Sequence, residues 1–411
     1  MKSRIYTFLL LGLTMLLSAC EHDDPEVERG TRTVLAYIMA DNSLSNFATA
    51  DIDEMVEGMK QVNGSNSNLL IYADGRSSTP KLYHVTKNKK GEVMKEVIME
   101  YEESISTDAV VMQEVMQRAF SEYPADSYGM IIWSHGDGWV PNPLPAPKRT
   151  STRWIGQDTT NGTHYLNITD MASVFKNLSY HLDFILFDAC FGQTIEVAYE
   201  LRNYTDYIIG SPTEIPGPGA AYDKVVPAMF VAANVGIEIA KAYYEPYAEI
   251  YDESVAVANN KWTGGVSVAV VKCAALEELA SVTKQLLRES APDLTTLHAG
   301  IYNYDKRKGN SLYDYVGYYD MKQLMQQLSA DASAWNAAAN KAILSWRTTP
   351  MNFSSALAKN NQTAMDGRFA IPQETTCGVS HYIPASTTSS VAAAYRSTAW
   401  YTAAGLDKLG W

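Results

Sequence analysis

Cysteine is scarce in this chain: there are four in 411 residues, at positions 20, 190, 273 and 377. That is too few for a disulfide framework, so the fold rests on a hydrophobic core, which a chain of this length can build. Positive charge is also in deficit. Lys and Arg number 33 against 46 Asp and Glu, a net charge of -13, and a chain of that sign is a poor partner for nucleic acid. H-E-x-x-H, C-x-x-C, P-loop and G-x-S-x-G motifs are missing, which argues against a dedicated zinc site and a serine-hydrolase elbow. His164 and His181 have no partners at metal-ligand spacing. There is no internal repeat, and the apolar run at residues 8–17 is too short to span a membrane.

What is present begins with that run. Lys2 and Arg4 precede it and Leu17-Ser18-Ala19-Cys20 follows, the pattern of a secretory leader. Small residues before a cysteine resemble the bacterial lipobox, which implies cleavage before Cys20 and lipid on its thiol. On this reading residues 1–19 are a signal peptide and 20–32 an acidic tether. The chain is then lipid-anchored in the cell envelope of a Gram-negative bacterium, at the outer membrane, with the membrane as a partner.

The body reads as an α/β fold. Apolar runs of strand length at 34–40, 68–74, 128–133, 183–188, 207–211 and 265–273 alternate with helical periodicity near 47–64, 108–123, 166–178, 194–202 and 276–286. Residues 83–86 and 93–99 straddle Lys-Asn-Lys-Lys-Gly as a hairpin. Runs without polar alternation suit strands buried on both faces, so the expected architecture is a mostly parallel sheet with helices on both sides. The catalytic body is expected over 33–274. A C-terminal, mainly helical region, 275–411, has helices around 313–328, 332–346 and 395–403 and a late strand near 378–384. Residues 140–152 carry prolines at 141, 143, 145 and 147 and read as an exposed loop open to proteolysis, with Lys148 and Arg149 at its end.

Two strands end in reactive side chains. Phe184-Ile185-Leu186-Phe187-Asp188-Ala189-Cys190 delivers a thiol to the carboxyl edge of the sheet, where open α/β folds bind ligands. Met130-Ile131-Ile132-Trp133-Ser134-His135-Gly136-Asp137-Gly138 delivers an imidazole into a Gly-rich turn. A thiol and a base at neighbouring strand ends are the minimum for nucleophilic catalysis. Each residue also has a plainer reading. Cys190 as a buried structural thiol is the commoner fate of a free cysteine, and His135 as a hydrogen-bonded turn residue is the other. Without a side chain, Gly136 lets a carbonyl oxygen approach its N–H, which with that of Cys190 makes an oxyanion hole; the alternative is that Gly136 only permits a tight turn. Asp188, two residues before the thiol, is a pocket acid or a strand-end acid. Cys273 and Cys377 read as core thiols.

The stretch Tyr123 to Trp139, together with Phe187-Asp188-Ala189-Cys190-Phe191-Gly192, closely resembles the clostripain family of cysteine peptidases, relatives of caspases, gingipains and legumains, and Ala40-Asp41-Asn42-Ser43-Leu44 looks like the family's first strand end. The resemblance implies a caspase-like fold, Cys190 as nucleophile, His135 as general acid/base, Gly136 and Cys190 N–H groups on the oxyanion, and Asp188 on the floor of the P1 pocket. It also implies a peptide or protein substrate, maturation by cleavage between His and Cys at a site such as Lys148-Arg149, and calcium in some members; the sequence itself requires no cofactor. One stretch departs from the pattern. Arg- and Lys-specific members resemble G-x-G-W-D-Y after the strand following Cys, whereas this chain has Gly217-Pro218-Gly219-Ala220-Ala221-Tyr222. Alanines stand at the Trp and Asp positions, Ala221 at the acid's, so selection of Arg at P1 is expected to weaken, leaving Asp188 or Asp223 to compensate. A catalytically idle lipoprotein that captures peptide or glycan in the same cleft is the competing expectation.

Overall fold

The computed structural model describes residues 30–63, 66–141, 154–178, 180–258, 261–308, 315–358 and 367–411. Its centre is a nine-stranded sheet. In chain order the strands are β1 (Gly30–Ala40), β2 (Ser67–Gly75), β3 (Lys81–Lys87), β4 (Val93–Glu100), β5 (Ala125–Trp133), β8 (Leu182–Asp188), β9 (Thr205–Gly210), β10 (Ser267–Lys272) and β12 (Ile343–Thr348). Three two-stranded ladders lie outside it: β6 (Gln157–Asp158) with β7 (His164–Tyr165), β11 (Tyr318–Asp320) with β15 (Ser380–Tyr382), and β13 (Met351–Phe353) with β14 (Arg368–Ala370).

Across the sheet the order is β12-β10-β9-β8-β5-β1-β2-β3-β4. The five middle strands, β9 to β2, run parallel. Antiparallel pairs flank them, β10 and β12 on one edge and the β3–β4 hairpin on the other. Residues 34 to 40 of β1 are all fully buried, the two-sided burial that a run of Val, Leu, Tyr, Ile and Met without polar alternation demands. On β5 and β8 the side chains alternate strictly between two cores. Met130, Ile132, Ile185 and Phe187 enter one, and Ile131, Trp133, Phe184 and Leu186 the other.

Helices cover both faces, as the sequence pattern requires. Over the second core lie α1 (Ser45–Met59), α5 (Tyr222–Met229) and α6 (Val235–Ile250). Over the first lie α2 (Ala109–Glu122), α3 (Ile168–Leu178), α4 (Ile195–Leu201) and α7 (Leu276–Leu286), joined by α8 (Leu294–Gly300), α9 (Met321–Leu328), α10 (Ser333–Ala342), α11 (Ser390–Tyr395) and α12 (Ala399–Ala404). The start of α4 is fixed by a local signal: the Thr194 hydroxyl accepts from Val197 N at 3.1 Å, the usual N-cap arrangement.

The C-terminal third departs from expectation in three places. The helical periodicity read over 332–346 breaks at Ala342, and Ile343–Thr348 becomes β12, pairing antiparallel with β10. The apolar Ile343, Leu344 and Trp346 fit either period, and the open edge of β10 decides between them. The helix read over 313–328 starts only at Met321, because Tyr318–Asp320 pairs with Ser380–Tyr382 inside the expected late strand. In place of one helix over 395–403 there are two short ones, α11 and α12. Helices α5 and α6 fall in a stretch to which the sequence reading assigned no element.

Candidate active site

Strands β5 and β8 are direct parallel neighbours, with Trp133 opposite Asp188 in register. His135 and Cys190 each lie two residues beyond that last pair, so the fold brings both to one rim of the sheet. Ser134 N donates to the Asp188 carbonyl at 3.4 Å, carrying the contact past the strand ends. Next comes Gly136. A Cβ there would sit 2.6 Å from the Cys190 carbonyl oxygen, 2.8 Å from Ala189 Cβ and 3.2 Å from Cys190 N, distances that no side chain tolerates. The glycine is therefore required by the close approach of the two loops.

Both reactive groups are half-buried, and each bonds elsewhere. The His135 Nε2 pairs with Ser43 Oγ at 2.7 Å, Ser43 belonging to the turn after β1. The Cys190 sulfur accepts from Ile215 N at 3.4 Å. Burial lowers the His135 pKa to about 4. The thiol is pushed up to about 12, by burial first and then by the Glu214 carboxylate beside it, with Ile215 N and Arg307 opposing. At neutral pH the resting pair is thus an uncharged imidazole and an uncharged thiol. Around the imidazole, Trp154 stands edge-on with ring centroids 6.4 Å apart. Gly156 N donates to the His135 carbonyl at 3.0 Å, and an isolated bridge joins Gly136 to Ile155.

Asp188 faces away from the thiol's core, toward the helices α1, α5 and α6. Its Oδ2 accepts from Ala220 N at 2.9 Å and from the Tyr222 hydroxyl at 2.6 Å, and its Oδ1 from the Tyr243 hydroxyl at 2.9 Å. Gly219, at φ +69°, lets the backbone lie over a second acid as well: a Cβ there would be 2.7 Å from Asp188 Oδ2 and 3.1 Å from Asp51 Oδ2. Asp51 on α1 accepts from Trp133 Nε1 at 2.6 Å. Burial and then the Asp188 charge raise its pKa to about 9, and burial raises that of Asp188 as well, with its three donors opposing, so the two neighbouring acids disfavour each other's ionisation.

The sequence singled out His135, Gly136, Cys190, Asp188 and Tyr222, and the structure gathers them around one rim. Ala221 is the residue before α5, and its methyl offers no hydrogen bond. Asp223 does not join Asp188; it pairs with Lys224 Nζ at 2.8 Å. Ser43 enters the sequence reading only as part of the Ala40–Leu44 strand end, and Asp51, Trp154, Glu214 and Ile215 have no individual role in it, because each is brought in from another loop or helix. Cys273 and Cys377 are buried, as core thiols should be. Cys20, Lys148 and Arg149 lie outside the described residues. Among the described residues no helix is long and apolar enough to cross a membrane.

The sequence profile described as the Clostripain family matches residues 36–401. Clostripain of Hathewaya histolytica is 27% identical over 219 residues, which are 47% of this chain and 41% of that protein, so the match spans less than half the length of this curated relative. Among solved structures, a secreted C11 cysteine protease from Bacteroides thetaiotaomicron, in complex with an irreversible peptide inhibitor, is 41% identical with a TM-score of 0.78. The alignment covers 92% of this chain and 99% of that one. An inactive zymogen C11 protease from Parabacteroides distasonis is 26% identical with a TM-score of 0.74 over the same shares. The caspase-like arrangement expected from the sequence is the fold these structures share with it.

Proposed function

The chain belongs to the clostripain family of cysteine peptidases, and from that premise we propose that it is an endopeptidase working through a Cys190/His135 dyad. The observation that carries this reading is the close approach of Gly136 to the Cys190 backbone at the ends of adjacent strands. In the first step the Cys190 sulfur attacks the scissile carbonyl while its proton passes to the imidazole. The neutral resting state of both groups fits a transfer that accompanies attack rather than a stored thiolate–imidazolium pair. The oxyanion receives the N–H groups of Gly136 and Cys190. His135 then gives the proton to the leaving amine, the C–N bond breaks, and a thioester remains. Water, deprotonated by the same imidazole, releases the acid and restores the thiol.

For the P1 pocket, Asp188 is the acid of interest. With Ala221 in place of a second loop carboxylate and three donors already on Asp188, a guanidinium would meet a carboxylate that is partly neutralised, so selection for Arg is weaker than in members with the Trp-Asp pair. For the N-terminus, lipid on Cys20 anchors the enzyme at the outer membrane, and cutting beside Lys148 or Arg149 opens the connecting segment. The mass of the mature N-terminus and of the two fragments tests both.

Calcium, which backbone and amide oxygens also ligate, is what the family resemblance implies; among the described residues no group of three or more His, Cys, Asp or Glu could hold a metal ion. No step above passes through a metal.

The test is a peptide-library cleavage profile of the purified protein beside Cys190→Ala. Loss of all cleavage in Cys190→Ala, with the wild type cutting after a mixed set of P1 residues, is the expected result. A fully active Cys190→Ala protein overturns the dyad. Binding without product after long incubation of the wild type means an idle peptide- or glycan-binding protein instead.

A further inference from the structure

The proposed dyad lies far earlier in the chain, yet the rim it forms is braced by Asp305, Arg307 and Tyr318. Arg307 is 6% exposed and reaches three ways. Its Nη1 donates to Asp137 Oδ1 at 2.7 Å, two residues after His135. Its Nε and Nη2 hold Asp305 in a two-pronged pair at 2.7 and 3.0 Å. Its guanidinium carbon lies over the ring of Phe191, the residue after Cys190, 4.3 Å from the centroid. Phe191 is one of four described non-glycine residues with positive φ, at +56°, a conformation costly for an aromatic residue unless its surroundings impose it. Those surroundings are Arg307 on the ring, Tyr318 stacked on it at 5.1 Å, and Thr213 O accepting from Phe191 N at 3.0 Å. The Tyr318 hydroxyl also donates to the Asp137 carbonyl at 2.5 Å. At Gly138, φ +79°, a Cβ would come within 2.4 Å of that hydroxyl.

The buried charge of Arg307 is expensive to maintain. Its desolvation is offset by two carboxylates, and Asp305 spends further lone pairs on the N–H groups of Arg307, Val316 and Gly317. A cluster made only for stability gains little over apolar packing of the same volume. What this cluster achieves is a fixed distance between two loops that the sheet itself no longer pairs, the His135–Gly138 turn and the Cys190–Phe191 turn.

We infer that Arg307 and Tyr318 are positioning residues for catalysis: together they lock the His135 loop against the residue after Cys190, setting the imidazole and the Gly136 N–H relative to the thiol. This rests on the dyad proposed above. Both act through Asp137 and Phe191, and Arg307 in addition opposes the rise of the Cys190 pKa. Their effect is on geometry, where a displacement of about 1 Å costs on the order of a hundredfold in rate.

The experiment compares Tyr318→Phe, Arg307→Lys and the double variant with the wild type and Cys190→Ala, using one fluorogenic peptide cut by the wild type. Active sites are titrated with an irreversible thiol alkylator, so that kcat refers to folded enzyme. Tyr318→Phe removes one oxygen and Arg307→Lys keeps the charge but loses the fork. The expected result is kcat down at least tenfold in each, KM within about threefold, and a double variant less impaired than the product of the two, because both act on the same loop. The Tyr318→Phe result alone decides if Arg307→Lys does not fold. Wild-type kcat per titrated site, with only the melting temperature lowered, reduces the cluster to a structural role and overturns the inference. If Cys190→Ala itself cleaves, it is the dyad that fails, which is a separate outcome.

Discussion

Gly136→Ala isolates the geometric requirement on which the dyad rests. The added methyl would lie 2.6 Å from the Cys190 carbonyl oxygen and 2.8 Å from Ala189 Cβ, whereas ordinary contact needs about 3.5 Å, so the two backbones must part by roughly 1 Å. The His135 loop cannot swing outward freely. Gly156 N holds the His135 carbonyl at 3.0 Å, and Ile155 bridges Gly136 from the other side. The Cys190 turn is fixed as well, by Thr213 on Phe191 N and Ser211 on Gln193 N, each at 3.0 Å. The strain therefore falls on the rim itself. Forcing an extra methyl into packed structure costs about 1–3 kcal/mol, and a shift of that size between nucleophile and oxyanion donors costs on the order of a hundredfold in kcat. Gly91→Ala is the matched control: φ is +80° but nothing lies within 4 Å of the added Cβ, so it should lose about 1 kcal/mol of stability through its backbone alone and keep its kcat. The assay is turnover of a fluorogenic peptide per titrated thiol, alongside thermal melts of both variants. A folded Gly136→Ala enzyme with kcat within threefold of wild type would refute the argument.

Three further outcomes follow from the same geometry. Because burial and Glu214 push the Cys190 thiol up to about 12, its alkylation by iodoacetamide in the substrate-free protein should rise about tenfold per pH unit from 7 to 10; a plateau below pH 9 contradicts an uncharged resting thiol. Asp188→Asn keeps one oxygen and puts an NH2 in place of the other, facing either the Tyr243 hydroxyl or the Ala220 N–H with the Tyr222 hydroxyl, so the melt should show a loss of about 1–3 kcal/mol and kcat/KM should fall at least tenfold; wild-type stability would mean the carboxylate is not the acceptor for those donors. Asp74 is raised in the folded state to about 8, by burial and then by Asp158. A carboxyl whose folded pKa exceeds its unfolded value binds its proton more tightly when folded, so its contribution declines as pH rises from about 4 to about 8 and is flat above. Asp74→Asn, neutral throughout, should therefore raise the melting temperature relative to wild type by a larger margin at pH 8 than at pH 5, and an equal margin at both would show that Asp74 titrates normally.

The fold was legible wherever one element carried its own signal. The parallel strands announce themselves as apolar runs without alternation, since both faces are covered, and Pro124 and the Gly-rich turns mark their boundaries. The edge strand β12 could not be read in that way. Ile343, Leu344 and Trp346 continue the apolar spacing of α10, and what converts them to a strand is the free edge of β10, a partner some 75 positions earlier in the chain. Short-range period alone cannot choose between two structures when tertiary pairing does the choosing.

The site divides along the same line. His135, Gly136 and Cys190 sit on or just beyond strands, so the register of two neighbouring strands is enough to bring them together, and that register is written in the hydrophobic runs themselves. The loop alanines at 220 and 221 were legible as a departure, but what occupies the space was not. Asp51 arrives from α1 because Ala48, Met55 and Met59 on the same helix are buried against the sheet, and that packing carries the carboxyl to within reach of Gly219. Arg307 and Tyr318 are more remote still. A lone arginine in a polar stretch reads as a solvated charge, and nothing near it in the chain reveals that two acids, one of them 170 positions away, make its burial possible. Residues that perform chemistry at a strand end can be read from the strand. Those that hold the chemistry in place are chosen by the closure of the fold, and it is in the second group that substitutions should alter kcat without altering what the enzyme binds.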